Sequence, residues 1–166
     1  MATTFDEFLA TAWQDHGDHP QDVAERLASS LHVVTAPAHI PRFAQLAAHV
    51  YGEHLGAFAP GVALLQSLRA LPAYDGSASL DAALARGVAT LHFASGDNVA
   101  LAGLARDDRI AVLAAAAAML GGRSAFAGAI AAYDEALVHA RGGLAPESPA
   151  IRALASRIST PPSSMA

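Results

Sequence analysis

One residue in four of this chain is alanine, 42 of 166, and no other feature narrows its folding options as much. Alanine is the best helix former and the smallest side chain that still buries apolar area. It lets helices approach closely but contributes little transfer energy per residue. Stability then has to come from many contacts along a long interface rather than from a few large side chains. Helices packed lengthwise on one another meet that demand, and no stretch of the chain alternates as a strand.

The remaining composition excludes several classes. Hydrophobic residues make up 53% and charged residues 15%, which fits a folded chain, and the length fits one domain able to bury a core unaided. Net charge is −5 with only 10 Lys plus Arg and no basic run, so nucleic acid and anionic membrane surfaces are not expected partners. There are no cysteines. That removes disulfides, thiolate metal sites and cysteine nucleophiles, and agrees with a reducing compartment. The N-terminus is acidic without an apolar signal core, and the longest apolar run, residues 110–120, is too short to span a bilayer. The expectation is a soluble, cytoplasmic protein.

Helix punctuation is clear. Thr4 and Glu7 form a capping box ahead of Phe5, Phe8, Leu9, Ala12, Trp13 and His16 at helical spacing, and Gly17 closes that helix. A second helix starts near Asp18 or His19 with Pro20 in its first turn and carries Val23, Leu27, Leu31 and Val34. The third runs from Pro41 to Gly56, the fourth from about Pro60 to before Pro72, and residues 72–77 form a loop. Ser79 caps the fifth, Asp97 caps a short sixth reaching about Leu104, and the seventh covers residues 108–120. Being apolar on nearly every side, that seventh helix should be the most buried. An eighth comes after Gly121-Gly122, and Ser148-Pro149 opens a ninth ending near Ile158. A single domain over residues 1–158 and a disordered tail over 159–166 complete the expected organisation.

Pro37, Pro72, Asp107 and Gly142 stand 35 residues apart and bracket successive helix pairs. A two-helix repeat of this length suggests hairpins stacked as a solenoid; the alternative is a non-repeating helical bundle. The stretch 109–141 resembles a tetratricopeptide repeat: Ala116 and Ala117 occupy the small positions of its first helix, and Ala129, Tyr133, Ala136 and Leu137 match its second. Ala47, Ala48, Tyr51, Gly56 and Pro72 resemble the same pattern less closely, with the spacing slipped by one and Leu68 where the family has alanine. The resemblance implies an all-α, right-handed tetratricopeptide-like solenoid of about nine helices. It also implies a groove, lined by the first helix of each pair, that takes a protein or peptide.

On that reading the chain is a non-enzymatic interaction module with no cofactor, its groove formed by Arg42, Gln45, His49, Arg86 and Thr90 of helices three and five. His49 and Glu53 can equally be an ordinary i,i+4 pair on a solvated face, and His54, on the apolar face, reads as a packed histidine. Trp13 reads as core. A second class is a small metal-dependent enzyme or metal-binding bundle using histidines. Its candidates are His16 and His19 in Asp15-His16-Gly17-Asp18-His19, and the i,i+4 pairs His49–Glu53 and Glu135–His139 if their faces met. A third is a structural homo-oligomer in which a second chain covers helix seven.

Overall fold

The computed structural model describes residues 2–141. Every regular element among them is helical, and none of these helices is long and apolar enough to cross a membrane. The chain divides after Leu91 into two compact units. The first contains α1 (Phe5–Asp15), α2 (Pro20–Ser29), α3 (His39–Ala48), α4 (Phe58–Ser67) and most of α5 (Ala78–Ala94). The second contains α6 (Arg106–Gly122) and α7 (Phe126–Arg141).

Local chemistry starts and stops these helices. The Thr4 hydroxyl accepts from the Glu7 N–H at 3.2 Å while the Glu7 carboxylate accepts from the Thr4 N–H at 2.9 Å, so both halves of the capping box form. Pro20 occupies the first turn of α2, where its missing N–H loses nothing. Short 3-10 turns end α2 and α4, at Leu31–Val33 and Leu68–Ala70. At α5 the capping hydroxyl is that of Ser77, which accepts from the Leu80 N–H, rather than that of Ser79.

The third predicted helix is two structures joined end to end. After Ala48 the backbone widens into a π-helical segment, His49–His54, marked by an i→i+5 hydrogen bond from the Leu55 N–H to the Val50 carbonyl at 3.0 Å. Gly56, at φ 61°, ends it in the left-handed region that glycine enters without penalty. The widened turn is held from two sides. The Tyr51 hydroxyl donates to the Ala24 carbonyl of α2 at 3.0 Å. On the other side Gly61 lets α4 come so close that a Cβ there would stand 2.9 Å from Tyr51 Cβ.

Around this turn lies the core of the first unit, with Phe43, Leu27, Leu46, Leu65 and Leu84 fully buried. Each such side chain contributes about 1.5–3 kcal/mol of transfer free energy. α1 rests on that core through Phe5, Leu9 and Ala12.

The second unit differs from expectation in three respects. Asp97 caps as expected, accepting from the Val99 N–H at 3.0 Å, but it opens a single 3-10 turn, Asn98–Leu101, and not an α-helix to Leu104. α6 is one-sided: Ile110, Val112, Leu113, Ala116, Ala117 and Met119 are buried, whereas Ala111, Ala115 and Ala118 are exposed. Alanine explains the difference, since its methyl is the apolar side chain that loses least in water. α6 and α7 pack as a hairpin, with Ala129, Ala132 and Ala136 of α7 buried. α6 runs through Gly121 and Gly122 and closes in a Schellman motif. Ala125 N–H donates to the Leu120 carbonyl at 2.8 Å and Ser124 N–H to the Gly121 carbonyl at 3.0 Å, with Ser124 at φ 62°. The predicted ninth helix and the tail 159–166 lie outside the described residues.

Two substitutions test these packing and capping assignments in urea denaturation. Gly61→Ala should destabilise the protein, because overpacking against Tyr51 costs about 1–3 kcal/mol and exceeds alanine's helical advantage; Gly17→Ala, with nothing within 4 Å of its Cβ, should not. An unchanged midpoint for Gly61→Ala would show that α4 does not clamp the turn. Ser124→Gly should stabilise by about 1 kcal/mol, relieving a left-handed residue, and a loss of stability would contradict the motif.

Candidate metal centre

In an α-helix successive residues advance by about 100°, so positions five apart face about 140° away from each other. His49 and His54 are five apart, and an α-helical register sends one to the polar side and the other to the apolar side. The π-helical register instead stacks them on one face: their Nε2 atoms are 3.2 Å apart and their rings are edge-on at 4.8 Å between centroids. His16, the residue that ends α1, projects against the same pair, with its Nε2 3.2 Å from that of His49. Ring centroids are 5.0 Å apart for His16–His49 and 5.1 Å for His16–His54. One nitrogen from each of the three rings lies within 4.8 Å of the others.

The opposite ring nitrogens are already engaged. His49 Nδ1 is 2.6 Å from a carboxylate oxygen of Glu53, and His16 Nδ1 contacts the Trp13 backbone carbonyl. Both partners only accept, so in each ring Nδ1 carries a proton, and in the neutral form Nε2 is then a bare lone pair. When both rings are neutral, two lone pairs face each other across 3.2 Å between His16 and His49, and a proton or a metal cation between them relieves the repulsion. His54 can donate to His49, but that satisfies only one of the two contacts.

Trp13 completes the surroundings. Its ring stacks on His49 at 5.6 Å and meets His16 edge-on at 5.1 Å. His16, His49 and Glu53 are half-buried and His54 is exposed, so the cluster opens to solvent on the His54 side. The His49 pKa is lowered from the ordinary histidine value, chiefly by burial; the Glu53 carboxylate opposes this shift, while His54 and His16 add to it.

Zinc holds imidazole nitrogens at about 2.0–2.1 Å, and two such ligands in tetrahedral geometry stand about 3.3 Å apart. The His16–His49 and His49–His54 separations of 3.2 Å match that spacing, and the third pair lies within 4.8 Å. The carboxylate and carbonyl behind the rings are the outer partners that orient metal-bound histidines. Among the described residues this is the one group of three or more His or carboxylate side chains that meets a metal-site spacing.

The other sequence candidates fall elsewhere. His19 caps α2 without a side-chain bond and is exposed, beside a shallow depression with Asp15, Asp22 and Arg26. His16 therefore joins His49 and His54 rather than His19. Glu135 and His139 pair at 3.7 Å on α7, in the other unit. Of the five residues assigned to a peptide groove, Arg42 is exposed, paired with Asp6 at 2.8 Å and placed over the Phe5 ring. Gln45 is exposed, Arg86 is half-buried and His49 sits in the cluster. Thr90 is buried and its hydroxyl donates to the Arg86 carbonyl at 2.8 Å. The i,i+4 pair of His49 and Glu53 is legible in the sequence and forms at 2.6 Å. The contact of His54 with His49 and the place of Trp13 beside them are not, and Gly52 between the two histidines is the local sign of an irregular turn.

No family model, curated protein or solved structure matches this chain.

The His49 shift sets a pH dependence. A histidine whose pKa is lower folded than unfolded binds its proton more readily once unfolded. The stability it contributes is complete above the unfolded value, about 6.5, and is lost as pH falls through the folded value. Metal-free protein, denatured with urea in chelator, should lose stability below about pH 6.5, and His49→Gln should reduce that slope. An identical slope in the variant would remove His49 as its source.

Proposed function

We propose that this protein binds a divalent transition-metal ion, zinc foremost, through the Nε2 atoms of His16, His49 and His54, with the fourth position open to solvent. One observation carries the reading. Three imidazoles converge, two of their three separations at ligand spacing and all within 4.8 Å, while the far nitrogens of two are already tied to a carboxylate and a carbonyl. The tautomers a metal needs are thereby set before it arrives.

The donor set selects among ions. All-imidazole coordination suits zinc, copper(II), nickel and cobalt, and the chain has no thiolate to attract copper(I) or an iron–sulfur cluster. Three protein ligands with one open position is the pattern of sites that handle an exchangeable ligand, whereas purely structural zinc sites are closed by four. A peptide-binding module has less support from the geometry. Of its proposed groove residues, Thr90 is buried, Arg42 is engaged with Asp6 and His49 belongs to the cluster.

Protein purified without an affinity tag and titrated with zinc against a competing chelator should bind one ion per chain. His16→Ala, His49→Ala and His54→Ala should each abolish stoichiometric binding. Glu53→Gln should weaken it by roughly 10–100-fold, the usual effect of losing an outer partner, and His19→Ala should leave it unchanged. Trp13 fluorescence reports the same event through its stacking on His49. Zinc binding that survives His49→Ala would sink the proposal.

A further inference from the structure

Three histidine ligands leave one coordination position to be accounted for, and its occupant can be inferred only if the metal reading above holds. Each protein ligand is a neutral imidazole. Among the described residues no carboxylate joins the ligand group. Glu53 is held on His49 Nδ1 at 2.6 Å, on the side of the ring away from Nε2. Asp15, next to His16 in the chain, is bound to Arg26 at 2.9 Å. A divalent ion in this setting keeps its full double charge in its first coordination shell.

Approach to the ion is restricted in direction. Trp13 lies against the His49 and His16 rings, whereas His54 is exposed, so an incoming group enters past His54. We infer that the fourth position is an anion site: a small monodentate anion of the azide, thiocyanate or carboxylate class displaces bound water there and coordinates the metal directly. The chain's overall charge of −5 does not prevent this. Charges on the outer surface are screened beyond about 8 Å at physiological ionic strength, while the bond to the ion forms at about 2 Å.

Cobalt(II) substitution makes the position visible, because its d–d bands respond to the number and kind of ligands. The probe is azide, added to the protein saturated with cobalt(II), with thiocyanate and acetate as further anions. The expected result is a saturable shift and intensification of the visible bands at one azide per cobalt, reversed by dialysis. The Glu53→Gln variant, at saturating cobalt(II), should respond in the same way. Bands that ignore all three anions in both proteins would overturn the inference, since a fourth ligand from the protein then blocks the position. A response confined to Glu53→Gln would overturn it too, by identifying Glu53 as that ligand. If cobalt(II) does not bind at all, the metal reading itself fails, and this separates the two failures.

Discussion

The hydrogen bond from Tyr51 to the Ala24 carbonyl holds the π-helical turn against α2, and much of the first unit depends on where that turn sits. It sets the direction in which the chain leaves α3 for α4. It brings His49 and His54 to one face, which an α-helix cannot do at a spacing of five. It also presents the Tyr51 Cβ as the surface on which Gly61 of α4 lies. A π-turn wastes hydrogen-bonding geometry compared with an α-helix and needs tertiary support to persist. Here the support is specific: a buried hydroxyl with one acceptor on one side and a glycine without a side chain on the other.

The electrostatics of the histidine cluster arise from the same placement. Three imidazoles in mutual contact cannot all be protonated without strong repulsion, and burial already disfavours the charged form of His49. The neutral forms, with Nδ1 protons directed outward to Glu53 and the Trp13 carbonyl, concentrate lone pairs at the centre. Hydrophobic packing alone gives no reason for that arrangement, because aromatic or aliphatic side chains fill the same space without the repulsion. The α1 stripe of Phe5, Leu9 and Ala12 positions the helix end regardless of what His16 does.

Much of the fold is legible in the sequence, because the signals there are local. The capping box at Thr4, the proline in the first turn of α2, the aspartate cap at Asp97 and the loop over residues 72–77 each depend on a few neighbouring residues. The site is not legible in the same way. His16 and His49 each stand out in the sequence, but for different roles, and a period of 3.6 carried through residues 49–54 assigns His54 to the core. The single inserted position that changes the register is stabilised by Ala24 and Gly61, which lie 27 residues before and 10 after Tyr51. No window centred on the histidines contains both. The length of the turn after Asp97 and the exposed face of α6 escape sequence reasoning for a related cause, since alanine is compatible with burial and exposure alike.

That ambivalence of alanine bears on why a metal suits this chain. Each buried alanine methyl contributes only a fraction of what a leucine does, so α1, with Phe5 and Leu9 as its large buried residues, is attached by few strong contacts. An ion bound to His16 at the end of α1 and to His49 and His54 of the π-turn would tie those two elements directly. A ligand present at 100 times its dissociation constant stabilises the folded state by about 2.7 kcal/mol, comparable to burying one further large apolar side chain. The candidate ligands sit at the end of a helix whose large buried residues are Phe5 and Leu9, so an ion bound there would contribute both an open coordination position and attachment of α1.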